Sequence, residues 1–474
     1  MEAFSLYFLT IVVVLVSFIF LGFLSQRFKS KTSILPTGTF GLPVVGETLH
    51  FFSSGPEKFI HQRMEKYSAE VFATSLFGKK VAVVCGAAGN KFLLYTANDQ
   101  LAPWLPSAAS KLMDLVDSPG QSVRQVISKC RTFLYNEILN PKTLRQYITI
   151  MDALAREHLK TEWDPSKVIQ VYPLCQKYAL SLSCRLLLGL EDACQIQRIS
   201  DSFWIIMQGL FSMPINMPGT RYNRALKEVK RVKHQFLNII AKKRDMVFQD
   251  TGSAGSDVLS RILLEGNAYS MSDSEIGAYL LTLMLPSYEG ISATITFALN
   301  HLAELPHIYE AVYKELMEIA RSKAPEELLN WEDVKKMKYS WNVICESMRL
   351  TPPSMGTFRE ALIDINFAGI TIPRGWKMHW SPFTTNKNHK YFPDPEAFDP
   401  TRYEGDGPTS CTFLPFSAGP RMCPGKDYSM FLILVYIYNV VTRFKLQKLI
   451  QDEKMRYRVG PVPANGLPMR LQTH

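Results

Sequence analysis

Residues Phe416 to Gly425 read Phe-Ser-Ala-Gly-Pro-Arg-Met-Cys-Pro-Gly, and an apolar run with helical spacing follows from Tyr428 to Phe444. A loop built this way places one cysteine, Cys423, where a flat cofactor can approach it closely. Gly419 and Gly425 lack a Cβ, so the backbone can turn tightly and lie against a ligand. The helix that follows begins beside the sulfur, and its positive end and free N–H groups favour a thiolate. Arg421 carries a permanent, forked charge suited to a carboxylate. Phe416 is placed to cover the sulfur and keep water from it.

The window F-x-x-G-x-R-x-C-x-G resembles the haem-binding signature of the cytochrome P450 superfamily, with every fixed position filled. A buried structural cysteine in a Gly/Pro loop is the alternative, and it does not account for five fixed positions in ten residues. The resemblance implies a mainly α fold with a minor β-sheet. It also implies haem b with Cys423 as the axial thiolate ligand of the iron, a push of electron density that favours O–O cleavage. Arg421 would hold a propionate, and Phe416, Gly419 and Gly425 would complete the cofactor loop.

Two further stretches carry the resemblance. Glu346 and Arg349 stand at i and i+3, on one face of a helix, which alone is a commonplace surface pair. Upstream of a cysteine loop, with Phe398-Asp399-Pro400-Thr401-Arg402 between, they are similar to the E-x-x-R pair of the family. By that likeness Glu346, Arg349 and Arg402 form a structural charge triad that locks the segment carrying the cysteine. The segments 324–342 and 372–377 resemble the plant branch of the family that oxidises triterpenes of the beta-amyrin type, close to the taxane hydroxylases.

The chain departs from the family in the oxygen-binding helix. Where A/G-G-x-D/E-T-T is usual, this chain has Pro286-Ser287-Tyr288-Glu289-Gly290-Ile291-Ser292. Glu289 keeps the acid for proton delivery. Gly290 replaces the alcohol, and Pro286 removes a backbone N–H and is expected to kink the helix. Two readings compete. In one, Ser287, Ser292 or a substrate hydroxyl replaces the alcohol and hydroxylation continues. In the other, altered proton delivery ends the chemistry in rearrangement, desaturation, ring formation or isomerisation. A non-catalytic haem-binding partner of another oxidase is a third class. Between Val123 and Leu139 the family has a basic or tryptophan partner for a propionate. Arg124 and Arg131 are the candidates there, and neither is assigned.

The N-terminus sets the expected location. Residues 3–24 are uncharged and almost wholly apolar. As a helix they reach about 33 Å, enough to cross a hydrocarbon core of roughly 30 Å. Arg27, Lys29 and Lys31 follow at once, which by the positive-inside rule leaves the bulk of the chain in the cytosol. No clear cleavage site marks a signal peptide. The expected organisation is a single transmembrane anchor at 1–24, a basic, Pro/Gly-rich hinge at 25–46 and a catalytic domain at 47–474. The expected location is the endoplasmic reticulum membrane, with that domain facing the cytosol.

The formal charge of +10 is scattered, without a stacking platform of aromatics, which argues against nucleic acid. It suits anionic lipid and an acidic electron donor. Eight cysteines form no C-x-x-C pair. The chain has no P-loop and no G-x-G-x-x-G between a strand and a helix, so electrons must come from a partner. The resemblance makes that partner an NADPH-cytochrome P450 reductase and the co-substrate O₂. The substrate class expected is a hydrophobic terpenoid, a triterpenoid or diterpenoid scaffold of plant specialised metabolism. Its pocket residues are expected among Trp104, Met113, Phe211, Met213, Ile215, Tyr288, Met355 and Phe358, each of which fits an ordinary core equally well.

Overall fold

The computed structural model describes residues 35–113, 131–249, 257–269 and 271–474, so the expected anchor and the basic part of the hinge lie outside the described residues. Among the described residues no helix is long and apolar enough to cross a membrane. The chain divides into two compact units, Met1–Trp104 with Thr357–Ser381, and Leu105–Gly356 with Pro382–His474.

The first unit is a sheet with short helices. The β-type runs at 71–74 and 81–84 lead the sequence reading to expect a small sheet here; strands β1 (Val71–Leu76) and β2 (Lys79–Val84) pair as a hairpin, in register Val71↔Val84 to Leu76↔Lys79. The sheet continues through β8 (Lys377–Trp380) and β5 (Thr357–Ala361) to β3 (Leu101–Trp104). Residues 98–120 read as irregular in sequence because prolines interrupt them. The β3 strand forms nonetheless, because pairing with Thr357–Ala361 supplies its hydrogen bonds and Pro103 sits on an edge strand, where a missing N–H is tolerated. Helices α1 (Thr48–Ser54), α2 (Pro56–Lys66) and α3 (Gly86–Lys91) and the hairpin of β6 (Ile365–Phe367) and β7 (Ile370–Ile372) complete this unit. Gly38 bridges Ala73, where an added Cβ would stand 1.8 Å from the Ala73 carbonyl oxygen, so only glycine fits.

The second unit is helical. Its first helix, α4 (Ser107–Met113), also lies in the stretch read as irregular. Then come α5 (Pro141–Glu162), capped by the Asn140 side chain with Pro141 in the first turn, α6 (Val171–Ser183) and α7 (Ala193–Leu210). After them run α8 (Arg221–Gln249) and α9 (Val258–Tyr269). On α8 Lys227, Lys230, Arg231 and Lys242 are exposed, as a charged helix face predicts. Lys243 instead pairs with Asp257 at 2.8 Å.

The central helix is α10 (Asp273–Glu304); the sequence offers Ser272 or Asp273 as its cap, and Ser272 takes the place, exchanging a capping box with Glu275. It is helical throughout, Pro286 included, and packs against α6, α8, α13 (Lys338–Leu350) and α14 (Lys426–Val441). Helices α11 (Pro306–Arg321) and α12 (Trp331–Lys336) lead to α13. From Met430 to Val441 every residue of α14 is buried. A helix apolar on all faces belongs inside a core, and each large aliphatic or Phe side chain buried there contributes about 1.5–3 kcal/mol relative to exposure. A three-stranded sheet, β4 (Ile169–Gln170), β12 (Pro468–Thr473) and β9 (Phe444–Lys448), and the β10 (Met455–Tyr457) and β11 (Pro461–Pro463) pair close the unit.

Candidate active site around Cys423

The loop before α14 is held by its own backbone. Cys423 N donates to Phe416 O at 2.8 Å, Ser417 N to Leu414 O at 3.0 Å and Met422 N to Gly419 O at 3.1 Å. Gly419 adopts φ +70°, the left-handed conformation for which its sequence position prepares it, and Ser417 is held at +60°. The loop therefore presents Cys423 three residues before the first turn of α14. Burial pushes the thiol up, while the Gly425 amide and the Arg131 guanidinium pull it down. Arg131 reaches this place by donating to the Met422 carbonyl at 2.8 Å, next to the cysteine in the chain.

Cys423 lines a cavity of about 270 Å³. Its wall is largely apolar: Leu134, Ile138 and Leu139 before α5, Leu186 and Leu187 after α6, and Leu283 and Pro286 of α10 take part. Gly425 also lines it, and the nearest atom to a Cβ built there is Ser429 Oγ at 3.8 Å. A single sulfur, steadied by an amide and a cation and facing a largely apolar space, is a donor set that fits a haem iron. A bound iron would hold the sulfur as thiolate against the effect of burial.

Two hydroxyls interrupt the apolar wall. Ser183 of α6 and Ser287 of α10 both line the cavity, and their Oγ atoms stand 3.1 Å apart. Ser292, the other serine considered for the missing alcohol, is fully buried and donates to Tyr288 O. A Cβ built on Gly290 meets nothing within 4 Å, so open space stands where an alcohol side chain is expected.

Glu289 is 3 % exposed and turns to α6. Its Oε1 accepts from the Tyr172 hydroxyl at 2.8 Å, and its Oε2 from Gln176 Nε2 at 3.0 Å. Burial raises its pKa, against the Tyr172 hydrogen bond, the Arg458 charge and the Gln176 hydrogen bond. The folded protein therefore holds this proton more tightly than the unfolded chain does. Stability conferred by the protonated form is complete below the ordinary glutamate range and is lost as pH rises toward the folded value. Glu289→Gln keeps an acceptor for Tyr172 and removes that loss. Its Tm should exceed the wild-type value at neutral pH and match it in acid, and thermal scans giving parallel pH profiles for the two proteins would refute this.

Glu346, Arg349 and Arg402 come together around one carboxylate. Glu346 and Arg349 are fully buried and joined by two hydrogen bonds of 2.7 Å. Arg402 Nε lies 3.3 Å from the Glu346 carboxylate, which also accepts from Asp399 N and the Tyr403 hydroxyl. Arg349 further donates to the carbonyls of Asn386, Pro395 and Ala397, so one guanidinium fixes the main chain of the segment before the cysteine loop.

The other expected site residues are dispersed. Arg421 and Phe416 are half-buried beside the cysteine, outside the set that lines the cavity. Trp104 and Phe358 lie in the first unit as a cross-strand pair with rings 5.5 Å apart. In the second unit Met113 and Phe211 are partly buried against the core, and Met355 is buried. Met213 and Ile215 are 47 % and 46 % exposed. Tyr288 is buried, with its ring edge-on to Phe203 at 5.9 Å. Tyr172, Gln176, Ser183, Tyr147 and Tyr428 were not singled out in sequence. Tyr428 was within reach of such reasoning, since the first turn after a ligand loop must lie beside it.

A cysteine-ligated haem is what this loop, cavity and triad are built to hold. The chain belongs to the cytochrome P450 family, whose model matches residues 36–461. It is 48 % identical to the beta-amyrin 6-beta-monooxygenase of Solanum lycopersicum, over 100 % of this chain and 99 % of that one. It is 44 % identical to the beta-amyrin 28-monooxygenase of Medicago truncatula, with 99 % of each chain covered. Among solved structures, retinoic acid bound cyanobacterial CYP120A1 superposes with a TM-score of 0.82 at 26 % identity, covering 94 % of this chain and 100 % of the other.

Proposed function

We propose that this chain oxidises a triterpenoid scaffold of the beta-amyrin type, inserting one atom of O₂ into a C–H bond. The likeness over its full length to the two beta-amyrin monooxygenases carries this reading. Haem bound at Cys423 supplies reductive activation of O₂. The Cys423 sulfur binds the iron, and Gly425 N–H and Arg131 hold its negative charge. The leucines around it exclude water, and Arg421 binds a propionate. Ser287, steadied by Ser183, offers a hydroxyl from the wall of the same cavity, and Glu289 supplies protons. Electrons come from NADPH through a cytochrome P450 reductase on the cytosolic face of the endoplasmic reticulum, where residues 1–24 anchor the chain.

The test is co-expression with a reductase and feeding of beta-amyrin, with products separated and weighed by gas chromatography–mass spectrometry. A product heavier by one oxygen, labelled from ¹⁸O₂ and dependent on the reductase, is expected. Faster turnover of a small polar substrate than of any terpenoid would overturn the substrate class. Product formed without reductase would instead favour isomerisation, the second reading that Gly290 keeps in view.

Gly290→Thr separates these readings. The open space at the Cβ admits the larger side chain, so the variant should fold like the wild type and lose less NADPH to peroxide. Unchanged peroxide release and an unchanged product pattern would remove position 290 from proton delivery.

A further inference from the structure

One end of the sheet in the first unit carries apolar side chains that stand exposed. The turn at 42–46 lies there, closed by Leu42 N to Gly46 O at 3.2 Å and Gly46 N to Leu42 O at 2.8 Å. Glu47, next to it, accepts hydrogen bonds from Thr39, Thr74 and Arg63, and its own N–H donates to Ser75 O, so the turn is fastened to β1. At the tip Val44 is 89 % exposed and held at φ +66°. A β-branched residue in the left-handed region costs about 1–3 kcal/mol that glycine would avoid. Leu42 in the same turn and Leu49 in α1 are exposed as well.

The strand register brings more apolar side chains to this end. The Val44 carbonyl oxygen lies 2.8 Å from a Cβ built on Gly78, in the turn that joins β1 to β2. Strand β2 starts there and runs parallel to β8, while β5 runs antiparallel to β8 and so finishes there. Leu362 and Ile363 follow the last residue of β5, and both are exposed. Lys79 and Lys80, at the start of β2, are exposed beside them. The Lys80 ammonium lies 5.3 Å from the Phe40 ring and 5.7 Å from that of Trp376, and the two rings meet edge-on at 5.9 Å. Exposed aliphatics ringed by lysine and tryptophan make a surface suited to lipid. The aliphatics enter the acyl region, while ammonium and indole stay at headgroup level.

We propose that this rim, with Leu42, Val44, Leu49, Leu362 and Ile363 as its inserting side chains, is a second contact between the chain and a phospholipid bilayer. The proposal rests on the reading of residues 1–24 as an anchor. The sequence next to the rim selects the occupant. Residues 25–34 separate that anchor from Leu35, and fully extended they span at most about 40 Å, so the first unit is tethered close to the headgroups. Arg27, Lys29 and Lys31 in the tether suit lipid phosphates, as Lys79 and Lys80 do on the rim. An anchor alone leaves the first unit free to turn on its hinge. An apolar turn fastened to β1 fixes which end of the sheet meets the lipid, and the strain at Val44 is the cost of presenting an aliphatic side chain there.

The experiment places the full chain in phosphatidylcholine vesicles whose acyl chains are brominated just below the headgroup. It reads tryptophan quenching against the same vesicles without bromine. Val44→Trp and Ile363→Trp each add an indole to the rim, and Val168→Trp adds one at an exposed position of the second unit as the control. Wild-type emission is subtracted from each. The indole added at either rim position should be quenched several-fold more than the one added in the control. Leu42→Asp together with Val44→Asp, in the Ile363→Trp background, should reverse most of that quenching. Circular dichroism should stay unchanged, and the chain should still resist extraction by alkaline carbonate. Rim quenching no greater than that of the control would overturn the proposal while the anchor reading stands. Emission that shifts to the blue with protein concentration rather than with lipid would overturn it too, since a second copy would then cover this face. Extraction of the wild-type chain by carbonate would remove the anchor reading, and this proposal with it.

Discussion

Cys423→Ser is expected to abolish the thiolate-shifted Soret band of the reduced carbon monoxide complex and to reduce turnover by roughly a thousandfold or more, about 4 kcal/mol of transition-state stabilisation. The loop itself should survive. Its shape comes from the Cys423 N to Phe416 O bond, the left-handed Gly419 and the start of α14, none of which needs sulfur. The side chain is only partly buried and lies at the wall of a cavity, so an oxygen in its place costs the fold little. What is lost is the soft, electron-rich ligand that Gly425 N–H and Arg131 stabilise. Absorption spectra and circular dichroism on the same preparation check both halves. A folded variant that keeps the shifted band would end the assignment of Cys423 as ligand.

Arg349→Leu should be the most destabilising single change in the second unit. Glu346 and Arg349 are both fully buried, and removing one partner of such a pair leaves an uncompensated charge, at a cost of about 3–5 kcal/mol. The carbonyls of Asn386, Pro395 and Ala397 lose their donor in the same step, and each left unsatisfied adds about 1–3 kcal/mol. Against a total stability of about 5–15 kcal/mol, the variant should not accumulate as a haem-bound protein. Arg349→Lys keeps the charge but cannot serve both carboxylate oxygens and three carbonyls at once, so it should rescue only part of the loss. Carbon monoxide difference spectra give the yield of intact protein, and thermal unfolding gives the order wild type, Lys variant, Leu variant. Unfolding of Arg349→Leu within about 1 kcal/mol of wild type would show that the triad is ornamental, since intact buried pairs of this kind are worth at least three times that when broken.

Much of this protein is written locally in its sequence. The cysteine loop is legible because its turn depends on a glycine in the left-handed region and on a helix that starts within three residues. The Ser272–Glu275 capping box and the i, i+3 pair of Glu346 and Arg349 are legible for the same reason, since their partners lie within one helical turn. The β1–β2 hairpin follows from two β-branched runs across a tight connection. In each case the physics that decides the outcome acts over a few residues.

Only the tertiary structure decided the rest. No periodicity could place Ser183 beside Ser287, or Tyr172 and Gln176 on Glu289, because those contacts join residues more than a hundred positions apart in the chain. The strand Leu101–Trp104 exists because a partner near residue 360 completes its hydrogen bonds, which overrides a proline that in isolation reads as a break. Local sequence determines which backbone shapes are affordable. Long-range packing determines which side chains meet, since burial and hydrogen bonding are settled only when distant segments arrive together.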